Sequence, residues 1–278
     1  MARTADFEKA LQVGRPPTIT RLFPNSKALI VSGKVVDRAM RAKGKAIAMA
    51  ANGRNLFVIR GALAAAQRAN AAVIIEIAKS EGGQKAYCAV NYWNMARIVD
   101  ALCNEMGITV PVAIHADHYG IKGEKDLVAA KIEIPTMFDA GITSVAIDAS
   151  HLPDDQNLLA SIAINPFIPA WAGLETEVGE IKGAAGLSTV AEALFLVKGL
   201  NARGILPDWI ALNNGPPTGS RRPTPGSRSG SRPRSTRRSL PTTSAAPSTA
   251  PRGTAPTGCA TSRTGPVPRR RTSPPPSR

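Results

Sequence analysis

The chain has three histidines, at 115, 118 and 151, and two of them flank an aspartate in His115-Ala116-Asp117-His118. The motif closes an apolar run, Val110 to Ile114. In an extended segment residues 115 and 117 share one face and 116 and 118 the other. Imidazole is the commonest protein ligand for zinc, and an adjacent carboxylate can serve as general acid or base beside a metal. The alternative is a polar strand end whose histidines only hydrogen-bond nearby loops.

Three further groups share that character. Asp148, with Ser150 and His151, ends the run Ser144-Val145-Ala146-Ile147. It could belong to a functional site, or equally cap the helix that follows. Glu175-Thr176-Glu177 puts two carboxylates on one face of a strand, where they repel unless a cation or an arginine lies between them. Two solvated acids at a frayed strand end is the competing reading. Ser80-Glu81-Gly82-Gly83 offers backbone N–H groups that could hold a phosphate, although a glycine turn after a strand is common by itself.

Positioning these groups requires alternating strands and helices. Strands are expected at Ala72 to Ala78, Val110 to His115, Ser144 to Asp148, Ala172 to Val178 and Trp209 to Leu212. Helices are expected at Val36 to Arg41, Leu56 to Ala69, Asn91 to Met106, Lys125 to Ala140 and Ser188 to Ala202. Such alternation implies βαβ units and a parallel sheet, and nearly all-apolar strands imply burial on both faces. Polar groups collect at the C-terminal ends of successive strands: Asn52, Ser80, His115 to His118, Asp148 to His151, Glu175 with Glu177, Asn213 with Asn214. A barrel gathers its site that way, whereas an open doubly wound sheet concentrates it at one switch point behind a glycine-rich turn. Neither GxGxxG nor GxxxxGK[ST] occurs, which argues against both nucleotide motifs.

Composition divides the 278 residues in two. Of 35 basic residues, 13 arginines fall in 216–278, a stretch with 14 prolines and no acidic residue, so the preceding body carries only +2 of the net +15. The basicity therefore says nothing about what the body binds. No apolar run reaches the roughly 18 residues that span a bilayer. Met1 to Arg15 lacks a hydrophobic signal region, and Cys88, Cys103 and Cys259 form neither a disulfide framework nor a CxxC knuckle, so a reducing cytoplasm is expected. The chain is read as an irregular arm over 1–28, an α/β domain over 29–215 and a disordered Arg/Pro/Ser/Thr-rich tail over 216–278.

From Leu29 to Gly215 the sequence resembles the class II, metal-dependent fructose-bisphosphate aldolases and related tagatose-bisphosphate enzymes. Val112-Ala113-Ile114-His115-Ala116-Asp117-His118 looks like their hydrophobic-HxDH signature, and Ser144 to Pro153 is close to their SSVMxDxSHLP. Leu174 to Gly179 resembles their ExExG element, and Asp208 to Gly215 the strand leading into a G-x-x-HG loop. The resemblance implies a (β/α)8 TIM-barrel type, here incomplete at about six βα units. It also implies zinc-dependent retro-aldol cleavage of fructose 1,6-bisphosphate to dihydroxyacetone phosphate and glyceraldehyde 3-phosphate, as in glycolysis. By position, Asp117 would move the proton at the cleaved hydroxyl and His118 would be the first zinc ligand. Asp148 and Glu177 would serve a second or alternative metal position, divalent or monovalent. Asn52 and Ser80 would approach the substrate. The partner implied is a sugar bisphosphate, with no membrane, and the intact family member is expected to be a homo-oligomer.

The sequence departs from that pattern at several places. Tyr119 stands where a small residue is usual, Glu180 to Ala185 lacks the GG-and-acid pattern, and residues 157 to 172 do not look like the expected helix. Beyond Gly215 the two further zinc histidines, the glycine-serine phosphate loop and the Asn-Asp-Thr motif have no counterpart. Impaired activity is therefore expected. Pro216-Pro217-Thr218 is what Thr-Thr-His codons give when read one base late, so the tail is taken as an out-of-frame reading, testable by sequencing across codons 210 to 220. The alternatives are a non-catalytic derivative, or binding of nucleic acid or an acidic partner through the tail's arginines.

Overall fold

The computed structural model describes residues 5–179 and 187–213, and the tail, Asn214 and the Glu180 to Ala185 departure lie outside those residues. Nine helices longer than one 3-10 turn and seven strands run along the described chain in alternation. The strands are β1 (Ile30–Val31), β2 (Met49–Asn52), β3 (Val73–Ala78), β4 (Val112–Gly120), β5 (Ser144–Asp148), β6 (Gly173–Val178) and β7 (Trp209–Leu212). The helices are α1 (Ala5–Val13), α2 (Pro17–Leu22), α3 (Gly33–Lys43), α4 (Leu56–Ala69), α5 (Lys79–Gly82), α6 (Met95–Met106), α7 (Glu124–Asp139), α8 (Asp154–Ile164) and α9 (Val190–Asn201).

The sheet order is β2-β3-β4-β5-β6-β7, every pair parallel. Sequential order with a crossover after each strand is the winding of a barrel, since a doubly wound sheet reverses direction partway. The described strands form an open part-barrel, as expected from the strand count.

Local chemistry sets the helix ends. Ser32 caps α3 by accepting from Lys34 N, and Asn55 caps α4 by accepting from Phe57 N and Val58 N. Thr189 and Glu192 form a reciprocal capping box at α9.

Each face of the sheet has its own apolar layer. On the outer face Val73, Ile75, Ile77, Ile114, Val145 and Ile147 pack against the helices, including Leu63, Val99 and Ile134. On the inner face Ile74, Ala113 and Trp209 meet Phe7, Leu29, Val31 and Val36. The N-terminal segment, expected to be an irregular arm, is therefore corrected: it forms α1 and α2, of which α1 packs with α3 into the inner-face layer while Ile19 of α2 joins the outer core. Pro16 and Pro17 do not break α2 but start it, because a proline at the first helical position loses no hydrogen bond. Strand β1 lies beside the start of β4, with Ile30 opposite Val112, rather than beside β2.

Two other expectations change. Residues 157–164 do form a helix, the greater part of α8, and only Asn165–Phe167 tightens into a 3-10 turn at the proline. Ser80-Glu81-Gly82-Gly83 is not a turn: its first three residues, with Lys79, wind into the short helix α5. No helix among the described residues is long and apolar enough to cross a membrane.

Candidate active site

Strand β4 does not stop at His115 but runs on to Gly120, and one residue too many is fitted into it. Ala116 pairs with Val145, yet Tyr119 pairs with Ile147, so three steps along β4 match two along β5. This bulge sits at Asp117-His118, and His118 adopts a left-handed φ of 45°. A regular strand would have sent Asp117 and His118 to opposite faces. The extra residue turns both toward the inner side.

The outcome is a one-to-one match between the two histidines of β4 and the two glutamates of β6. His115 Nε2 lies 3.3 Å from Glu175 Oε2, and His118 Nδ1 lies 3.0 Å from Glu177 Oε2. Thr176 between the glutamates points into the opposite, outer layer and is 1% exposed.

At the strand tips, His118 also stands 3.6 Å from Asp148 Oδ2 and 3.8 Å from Asp117 Oδ2. Ligand atoms of His118, Asp148 and Glu177 all lie within 4.8 Å of one another. Hydrogen bonds to Asp148 and Glu177 outweigh burial and push the pKa of His118 up to about 12. Burial alone would raise Asp148, but hydrogen bonds from His118 and Ser150 hold its carboxyl below the usual range. Burial raises Glu177 and Asp117, opposed in each case by His118. One ionised and one reluctant carboxylate beside an imidazole is a donor set that suits a borderline divalent cation such as zinc. The donors fit a cation; a three-imidazole zinc shell cannot be assembled, because His115 is occupied elsewhere and the sequence holds only three histidines.

A cleft of about 640 Å³ opens beside this group, lined by His118, Asp148, Ser80, His151, Lys79 and Lys122 among others. Lys79 Nζ donates to Gly120 O and sits 4.0 Å over the Tyr119 ring. Ser80 is exposed on this cleft. Asn52 is not on it: its Nδ2 donates to Glu81 Oε2 at 2.6 Å, and Glu81 also ion-pairs with Arg54. Asp117 is not on the cleft either; its carboxylate faces Glu76 and His115, and its backbone carbonyl accepts from Tyr92 Oη. Asp148 does not cap α8, whose N-cap is Pro153; it holds the turn at Ser150 instead.

Sequence reasoning passed over Glu76, His115 as a partner of Glu175, and the Arg54–Glu81–Asn52 link. Glu76 did carry a signal: one carboxylate inside Ala72-Val73-Ile74-Ile75-Glu76-Ile77-Ala78, on the same face as Ala78. Tyr119, noted as a departure, is fully buried on the outer face, where its hydroxyl donates to Glu133 at 2.7 Å.

The chain is similar to known proteins. A family profile described as "Fructose-bisphosphate aldolase class-II" matches residues 33–210. The fructose-bisphosphate aldolase of Staphylococcus epidermidis is 35% identical over 133 residues, covering 48% of this chain and 42% of that protein. The fructose-bisphosphate aldolase of Geobacillus stearothermophilus is 34% identical over 157 residues, covering 56% of this chain and 50% of that protein. This chain thus spans about half the length of the curated relatives it matches. The crystal structure of fructose-bisphosphate aldolase from Campylobacter jejuni superposes with a TM-score of 0.52 at 22% identity, over 71% of this chain and 61% of that one, and shows the fold. With the profile running through every strand from β2 to β6 and the HxDH bulge among them, the chain belongs to the class-II fructose-bisphosphate aldolase family.

Proposed function

We propose that this chain carries the metal-binding and proton-transfer half of an aldolase that cleaves fructose 1,6-bisphosphate, and that turnover by the chain as written is strongly impaired. The observation that carries the reading is the convergence of His118, Asp148 and Glu177 at the edge of one cleft. His118, Asp148 and Glu177 would hold the divalent cation, zinc by the family's habit. When bound, that ion would polarise the ketone of the sugar and stabilise the negative charge that develops as the carbon–carbon bond breaks.

The chain's own residues divide the remaining work. Asp117, behind the cleft wall and 3.8 Å from the His118 ring, would take the hydroxyl proton of the cleaved bond once the sugar reaches past His118. Burial supports this role by raising its carboxyl toward the pH at which it can both accept and return a proton. The bulge at His118 keeps Asp117 next to the ligand it must act beside. Ser80 and Lys79, on the cleft wall, orient the sugar phosphate; Asn52 acts through Glu81 by fixing α5 against β2. Impairment follows from the imidazole count, because one histidine in place of three leaves the cation weakly held and more fully neutralised by carboxylates.

Aldol cleavage of fructose 1,6-bisphosphate by the full chain, with and without added zinc, tests both parts. The expected result is stoichiometric zinc binding that His118→Ala removes, with little or no turnover. Chelator-sensitive turnover at the rate of a complete enzyme overturns the impairment. Zinc binding indifferent to His118→Ala overturns the site. A cooperatively folded chain that binds zinc and never turns over favours a non-catalytic derivative of the family.

A further inference from the structure

Beneath the strand-tip group lies a second constellation, which shares only Asp117 with the function proposed above. Glu76 on β3, His115 on β4 and Asp117 on β4 offer ligand atoms within 4.8 Å of one another, all on the inner face. Glu76 and Asp117 are each 6% exposed, His115 1%, and Glu175 adjoins them at 9%. Three carboxylates and one imidazole in so dry a place cannot all stay ionised without a compensating positive charge. Below them the inner face is apolar, with Ile74, Ala113 and Trp209 packed against the N-terminal segment. No Lys or Arg side chain is among the pairs made by these four groups in the described residues.

The imidazole points to what completes the group. His115 Nδ1 is engaged by Ser144 Oγ at 2.9 Å. Its Nε2 makes no hydrogen bond among the described residues beyond the loose 3.3 Å pairing with Glu175 Oε2. A ring anchored through one nitrogen, with the other presented to carboxylates, is the usual posture of a metal-ligating histidine.

We propose that Glu76, His115 and Asp117 form an interior site for a transition-metal dication, separate from the strand-tip group, with Glu175 available as a fourth ligand. One nitrogen with two or three carboxylate oxygens suits Zn²⁺, Mn²⁺ or Co²⁺, and excludes a soft thiolate-seeking ion. The side chain of Asp117 stands between the interior group and His118, 3.8 Å from the His118 ring, so a cation held there would occupy its carboxylate, and the proton transfer assigned to it above would run only while the interior site is empty. The inference does not rest on the aldolase reading, since no substrate enters it.

Co²⁺ is the probe, titrated into the full chain after chelator treatment, with bound metal counted by equilibrium dialysis. Two Co²⁺ per chain are expected. Glu76→Gln should weaken one of them at least tenfold and leave the His118-dependent one in place, while His118→Ala should do the reverse. Anomalous scattering at the cobalt edge from crystals of the unaltered chain gives an answer that needs no variant: a peak between Glu76, His115 and Asp117 is expected. A single Co²⁺ that His118→Ala abolishes and Glu76→Gln leaves untouched, or no anomalous peak in the interior, overturns the proposal. Loss of only the His118-dependent ion instead counts against the function proposed above, and leaves the interior site standing.

Discussion

His118 Nδ1 and Glu177 Oε2 meet at 3.0 Å across 59 residues of sequence, and they meet only because β4 carries one residue more than β5 can match. With Asp148 as the second partner, the pair keeps the imidazole charged far above its ordinary pKa of 6.5, to about 12. A raised histidine pKa adds stability that is complete below about 6.5 and falls away as the pH climbs toward 12. In the metal-free chain, unfolding free energy should therefore decline with pH across that window. Glu177→Gln should flatten the decline, and urea unfolding at several pH values measures it. An unchanged slope would remove the charged pair from the account.

The bulge itself should be separable from the ligand. His118 holds φ at 45°, a region that glycine adopts freely and β-branched residues resist. Both His118→Gly and His118→Val delete the imidazole, but only valine also meets the backbone strain, of about 1–3 kcal/mol. The glycine variant should unfold at the higher urea concentration, and equal midpoints would mean that the strand straightens when histidine is lost.

The seam between the N-terminal segment and the sheet is tight at Gly33. A Cβ there would stand 2.7 Å from Ser144 Cβ and 2.8 Å from Trp209 Cη2. Gly33→Ala should force the start of α3 away from the sheet, at a cost of about 1–3 kcal/mol. A lowered urea midpoint with a shifted Trp209 emission is the expected signature. A neutral substitution would show that this face is covered only loosely.

Tyr92 is fully buried, and its hydroxyl donates to the carbonyl of Asp117 at 3.1 Å, bracing the bulge from the outer face. Tyr92→Phe leaves that carbonyl without its partner and should cost about 1–3 kcal/mol. If the bulge depends on this brace, cobalt affinity at the strand tips falls along with stability; a stability loss alone would confine Tyr92 to packing.

Cys103 is 2% exposed, and burial pushes its thiol up to about 12. Against an ordinary thiol of pKa about 8.5, its thiolate at pH 8 is scarcer by roughly a thousandfold. Alkylation of Cys103 should be negligible in the native chain and prompt in urea, read by mass spectrometry. Labelling under native conditions would indicate that α6 opens readily from the core.

The sequence carried much of this protein. Helix α4 and strands β5 and β7 stand where periodicity and turn residues put them, because local propensity and burial pattern agree there. The four strand-tip residues Asp117, His118, Asp148 and Glu177 were legible as types at strand ends, where each alone had a structural reading and only their shared address and the family resemblance singled them out. Tertiary structure alone decided which of them touch. Period-two alternation assigns Asp117 and His118 to opposite faces, and an inserted residue that reverses this leaves no mark on composition. Nor could the N-terminal helices be read, as their prolines look like breakers until the sheet offers Phe7 and Ile19 a place to be buried. Glu76 showed only as an odd carboxylate in an apolar strand, and it gains meaning when pairing sets it opposite His115. Hydrophobic pattern is a property of neighbours along the chain, whereas a site is a property of neighbours across strands, and register is fixed by the assembled sheet.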